Sequence, residues 1–189
     1  MQPGQIIFLN GTSSAGKTTI ARALQDTLEA AYMRASLDDF FNFYPEKLVM
    51  PKTKEKAQVF RRVIPNLVSG FHRAIGALAG AGNNVIVDHV LQGEGWLDEC
   101  LDALRDYDVL FVGVRCPLAV LEQREKDRGD RSIGLARAQF EQVHRHGLYD
   151  LELDTSVLSV KDCVAEILAV LDSNKEISAF ERLGESRMG

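Results

Sequence analysis

The chain has 189 residues, enough for one domain with a full core and short for two. Hydrophobic residues make up 46% and charged residues 26%, which excludes a disordered chain. A formal charge of −5 leaves no overall basic surface for nucleic acid or anionic lipid, so neither is expected as a partner.

Beta-rich apolar runs recur with room for helices between them, the signature of βαβ units around a parallel sheet. Ile6 to Asn10 reads as the first strand. Thr18 to Leu28, with Ile20, Leu24 and Leu28 four apart, reads as the helix after it. Tyr32 to Leu37 is a weaker strand closing on Asp38 and Asp39, and a helix is expected from near Pro65 to about Ala79, ended by Gly80 and Gly82. The nearly continuous apolar runs at 84–90 and 109–114 suit central strands covered on both faces. Pro117 opens another helix, and residues 150–156 alternate like a last strand nearer the edge. Ser159 to Leu171 is helical, with Ser159 as N-cap and Asp162 near the positive end of the dipole. Residues 1–171 therefore form the domain, and the polar residues 172–189 read as a tail or a short surface helix. "MQPGQIIFLN" has no basic start followed by a long apolar stretch, and no run of 18 apolar residues follows, so the expected location is the cytoplasm.

"GTSSAGKT", residues 11 to 18, fits G-x-x-x-x-G-K-[ST] between a strand and a helix. A helix N-terminus carries unpaired N–H groups and a partial positive charge, so a glycine-rich turn leading into it cradles phosphate oxygens. Gly11 and Gly16 would permit the required torsions and close approach. Lys17 would reach the terminal phosphates of ATP, and Thr18 would offer its hydroxyl to magnesium. The run Gly11, Thr12, Ser13, Ser14, Ala15, Gly16, Lys17, Thr18 and Thr19 is assigned to the nucleotide.

Ligands of open α/β sheets gather at the carboxyl ends of the strands, so acidic residues there are candidates. Asp88, after the apolar "VIV", would bind magnesium beside Thr18, or else cap the next loop. A kinase needs a carboxylate to orient the acceptor hydroxyl and take its proton. Asp38 or Asp39 is sited for that role, the alternative being an acidic helix cap. Arg124, Lys126, Arg128, Arg131 and Arg137, around Gly129 and Gly134, suggest a basic lid over residues 124–137, or else a solvated helix end with ion pairs such as Glu122–Lys126. His72 has no evident partner, and His89 is read as structural. The widely spaced Cys100, Cys116 and Cys163 suggest neither disulfides nor a zinc site, and read as reduced core thiols.

Over residues 5–171 the chain resembles the chloramphenicol phosphotransferase-like family of P-loop kinases. The resemblance rests on "IIFLNGTSSAGKTTIARALQ", "VIVDHVL", "LFVGVRCPLAVLEQREKDRGDRSIGLARAQ" and "DLELDTS". It implies an α/β three-layer sandwich with a five-stranded parallel sheet, use of ATP and magnesium, and transfer of the γ-phosphate to a small-molecule hydroxyl. The family's base falls on Asp38, its loop lysine and hydroxyl on Lys17 and Thr18, and its lid arginines on Arg128 and Arg131. His89 stands where the family pattern has a second acidic residue, which bears on the metal environment, and residues 40–70 depart from the pattern, so chloramphenicol is not carried over as the acceptor.

Phe40, Phe41, Phe43 and Tyr44 follow the candidate base, and the three phenylalanines are expected against a neutral acceptor carrying a ring. Two other readings remain. A nucleoside or nucleotide kinase would use Lys47, Lys52, Lys54, Lys56, Arg61 and Arg62 on an acceptor phosphate, whereas a nucleotide-dependent switch would have no acceptor.

Overall fold

The structure is a computed structural model and describes residues 2–93, 95–128, 133–171, 173 and 178–188, with Met188 described by its backbone only. Five parallel strands, β1 (Ile6–Asn10), β2 (Tyr32–Ser36), β3 (Asn84–His89), β4 (Val109–Arg115) and β5 (Leu151–Asp154), lie in the order β2-β3-β1-β4-β5. The first strand is central and wholly buried, and its register sets Asn10 beside His89 on one side and Gly113 on the other. The carboxyl ends of β1, β2 and β3 thus share one edge of the sheet.

Alternation of side chains sends Ile7, Leu9, Ile86, Leu110 and Val112 to one face and Ile6, Phe8, Val85, Val87 and Phe111 to the other. The first face is covered by α1 (Lys17–Thr27) and α8 (Val160–Leu171), through Ile20, Leu24, Val164 and Ile167. The second is covered by α4 (Lys54–Gly80), α5 (Trp96–Leu104) and α9 (Ala179–Met188), which makes three layers. Short helices α2 (Leu37–Phe41) and α3 (Glu46–Val49) precede α4, while α6 (Leu118–Arg128) and α7 (Leu135–Val143) lie between β4 and β5. Ser159 and Asp162 bond reciprocally at the start of α8, as a capping box requires.

Two expectations are corrected. The helix placed from near Pro65 starts eleven residues before it, at Lys54, with Thr53 accepting from the Lys56 N–H at 3.3 Å. Pro65 sits inside it and removes the N–H that would bond the Arg61 carbonyl, on a stretch that faces solvent. The fully buried residues of α4 begin at Leu67 and run through Val68, Phe71, Ile75 and Ala79, while the partly buried Phe60 and Ile64 before the proline meet Phe41 and the cavity instead. Within the polar C-terminal stretch, α9 is more than the short surface helix expected: Phe180 is 4% exposed and packs its ring on Phe8 and Phe111. Asp150 accepts from the Ala179 N–H at 2.8 Å and anchors the start of α9.

Candidate active site

The turn between β1 and α1 is held by torsions that few residues tolerate. Ser14 has φ +64° and Gly16 φ +94°, so successive N–H groups curl inward at the N-terminus of α1. Gly11 is required for the close approach expected of it, here to β4, and not for a positive φ. A Cβ there would stand 2.3 Å from the Val114 carbonyl oxygen, so the glycine lets the loop's first residue lie on β4. Around the loop, Gln139 of α7 accepts from the Ser13 N–H at 2.8 Å. Thr155 donates to the Ala15 carbonyl at 2.9 Å, and Arg124 donates to the carbonyls of Ser14 and Thr155. Arg124 is thus built into the loop's frame, and Arg137 pairs with Glu122, which does not pair with Lys126 as expected.

Lys17 is 6% exposed, with Nζ donating to the Thr12 carbonyl at 2.9 Å and lying 3.8 Å from Asp88 Oδ1. The Thr18 hydroxyl donates to the other oxygen of Asp88 at 2.5 Å. Behind the loop, the Asn10 amide donates to the Val143 carbonyl and the Tyr149 hydroxyl, and its oxygen accepts from the Leu91 N–H. The Tyr149 hydroxyl, already accepting from Asn10, turns its proton to His144 Nδ1 at 2.7 Å. Burial pushes His144 down to about 4 and, with the cations Arg187 and Arg115 adding to the effect, does the same to His146.

A cavity of about 720 Å³ opens over this loop, large enough for a nucleotide and a small second substrate. Lys17, Thr18, Thr19, Asp88 and Asp38 all line it, together with Arg128. On the β4–β5 side its wall is Arg124, Thr155, Leu158, Val160 and Cys163; on the β2–β3 side it is Leu37, Phe41, Ile64, Val90, Gln92 and Trp96. Arg131 and the rest of the lid's centre, residues 129–132, lie outside the described residues.

The two adjacent aspartates have separate surroundings. Asp39 is the N3 residue of a capping box with Ser36 and pairs with Arg34 at 3.3 Å, so it meets the helix-cap reading. Asp38 lines the cavity. Of the three phenylalanines expected against the acceptor only Phe41 reaches the cavity. Phe40 turns its ring onto Phe71 at 5.0 Å in the core, and Phe43 is 76% exposed. Trp96, Ile64 and Gln92 were not legible as wall residues, because α5 and the middle of α4 reach the site only through the strand order. Lys47, Lys52, Lys54, Lys56, Arg61 and Arg62 are exposed and line no part of the cavity.

The hydroxyls of Ser13 and Ser14 are buried without a hydrogen-bond partner among the described residues, a cost that phosphate oxygens would relieve. The oxygens of Thr18 and Asp88 are hard donors of the kind that magnesium takes. The residues present therefore fit both groups.

Strand order, phosphate loop and buried lysine together define a phosphotransferase of the P-loop kinase type. The profile of the family described as "Chloramphenicol phosphotransferase-like protein" matches residues 4–172, and the chain belongs to that family. It is 32% identical over 200 residues to a Mycobacterium tuberculosis protein named "Putative O-phosphotransferase", covering 97% of this chain and 89% of that one. Two solved structures share the fold at lower identity. A sugar kinase from Janibacter sp. has TM-score 0.66 and 23% identity, over 90% of this chain and 95% of that one. The Mycobacterium tuberculosis APS kinase CysC, in complex with AMPPNP and APS, has TM-score 0.67 and 17% identity, over 92% of this chain and 100% of that one. Among the described residues no helix is long and apolar enough to cross a membrane.

Proposed function

We propose that this chain transfers the γ-phosphate of ATP to a hydroxyl of a neutral small molecule that carries an apolar ring. The acceptor oxygen attacks the γ-phosphorus, the bond to the β-phosphate oxygen breaks, ADP leaves, and the hydroxyl proton passes to Asp38. Lys17 and Arg128 neutralise charge on the transferring group. Thr18 and Asp88 would hold magnesium, which supplies charge neutralisation across the β- and γ-phosphates. Reduced thiols at Cys100, Cys116 and Cys163 fit a cytoplasmic location, where ATP is found.

One observation carries the choice of acceptor. Among the described residues every cation on the cavity wall, Lys17, Arg124 and Arg128, lies on the phosphate loop or toward β4 and β5, whereas the β2–β3 side offers Leu37, Phe41, Ile64, Val90 and Trp96. An anionic acceptor would be desolvated there without a partner. This weighs against a nucleotide kinase, and Asp38 on the same cavity weighs against a switch that has no acceptor.

The test incubates the protein with labelled ATP, magnesium and a metabolite extract, and follows the label by mass spectrometry. Label in the phosphate ester of a neutral hydroxyl compound supports the proposal. Label in nucleoside diphosphates, the products of monophosphate acceptors, or in inorganic phosphate alone, overturns it.

A further inference from the structure

Three buried side chains with metal-binding atoms meet behind the end of β3. His72 on α4, His89 at the end of β3 and Cys100 on α5 each present one ligand atom, and all three atoms lie within 4.8 Å of one another. Both histidines are 1% exposed and Cys100 is 0% exposed. The two Nε2 atoms face each other at 3.0 Å, so neutral rings there share a single proton across the contact. His72 Nδ1 lies 3.5 Å from a carboxylate oxygen of Glu99, and the Nδ1 atoms of both His72 and His89 are buried without a hydrogen-bond partner among the described residues.

We propose that His72 Nε2, His89 Nε2 and Cys100 Sγ bind a divalent ion of the zinc class. Two imidazoles and a thiolate are the donors such an ion selects, in contrast to the all-oxygen pair of Thr18 and Asp88. Bonds of about 2.0–2.1 Å at a tetrahedral angle set the two nitrogens about 3.3 Å apart, a few tenths of an ångström from the contact found. The carboxylate of Glu99 beside His72 Nδ1 has the place of the partner that orients a ligating histidine, so Glu99 is a positioning residue. On binding, the proton between the rings moves to an Nδ1 atom and the Cys100 thiol proton leaves to solvent. His89 and Trp96 stack at 5.8 Å and both line the large cavity, which gives the ion an entry path. The bound ion would tie α4, α5 and β3 together beneath the acceptor wall, and the inference is independent of which acceptor is used.

Cobalt titrated into the full, chelator-stripped chain, with magnesium in excess to fill the hard-oxygen site, reads this directly. About one equivalent should bind with a thiolate-to-cobalt charge-transfer band and the visible bands of tetrahedral cobalt. Cys100→Ser should abolish the charge-transfer band, and Glu99→Gln should keep it while weakening affinity about tenfold. If Cys100→Ser does not fold, the Cys116→Ser/Cys163→Ser chain, which retains only Cys100, must still show the band. Absence of the band in the wild type, its persistence in Cys100→Ser or its loss in the folded double variant would overturn the proposal.

Discussion

Replacing Asp38 and Asp39 by Asn, one at a time, separates two neighbouring carboxylates to which the structure gives different surroundings. Asn keeps the shape but cannot serve as a base at neutral pH. For Asp38→Asn the loss of proton transfer should lower turnover about 10²-fold or more, about 2.7 kcal/mol in the barrier, with nucleotide affinity little changed. Asp39→Asn removes the 3.3 Å ion pair with Arg34 and weakens the reciprocal bonds to Ser36. Its side chain is 47% exposed, so solvent screening holds the ion pair below about 1 kcal/mol. The weakened cap adds about 0.5–1 kcal/mol. The Asp39 variant should therefore lose about 0.5–2 kcal/mol of stability in urea unfolding and keep its turnover within about twofold. Rates of labelled product formation at saturating ATP, measured beside unfolding curves, give both quantities for both variants. A large rate loss in Asp39→Asn with near-normal turnover in Asp38→Asn would refute the assignment of the base.

Gly11→Ala sets a Cβ 2.3 Å from the Val114 carbonyl oxygen and 3.2 Å from its Cβ, and must part the loop from β4. A loss of about 1–3 kcal/mol in urea unfolding and weaker ATP binding by calorimetry are expected. Phe180→Ala should cost about 3–5 kcal/mol in the same unfolding assay, because the ring fills the core against Phe8 and Phe111. Stability should also fall with acid. His144 and His146, pushed from 6.5 down to about 4 in the fold by burial, take up protons earlier when unfolded. Their contribution is complete above about pH 6.5 and is lost as the pH falls toward about 4, so thermal melts across that range should slope downward and His146→Gln should flatten the slope.

The phosphate loop was legible in the sequence because its requirements are local. A left-handed torsion at Gly16, an apolar run before it and a four-residue period after it all lie within about twenty residues, and the five strands announce themselves by the same short-range patterns. Where two local readings were equally good, only the assembled sheet decided. Asp38 and Asp39 are both acidic residues in the first turn of a helix, and the rotation of α2 against the cavity separates them. The first turns of α4, Lys54 to Gln58, are polar and lie before the apolar period that starts at Phe60, and Phe180 is a single aromatic in a polar run whose burial depends on β1 and β4 being neighbours. His72, His89 and Cys100 are far apart in the chain and carry no shared spacing. Their meeting, like the approach of Trp96 and Ile64 to the cavity, comes from crossovers that put β3 beside β1 and pack α4 on α5. Torsion and periodicity are properties of neighbouring residues, whereas the convergence of side chains on a site is a property of the strand order.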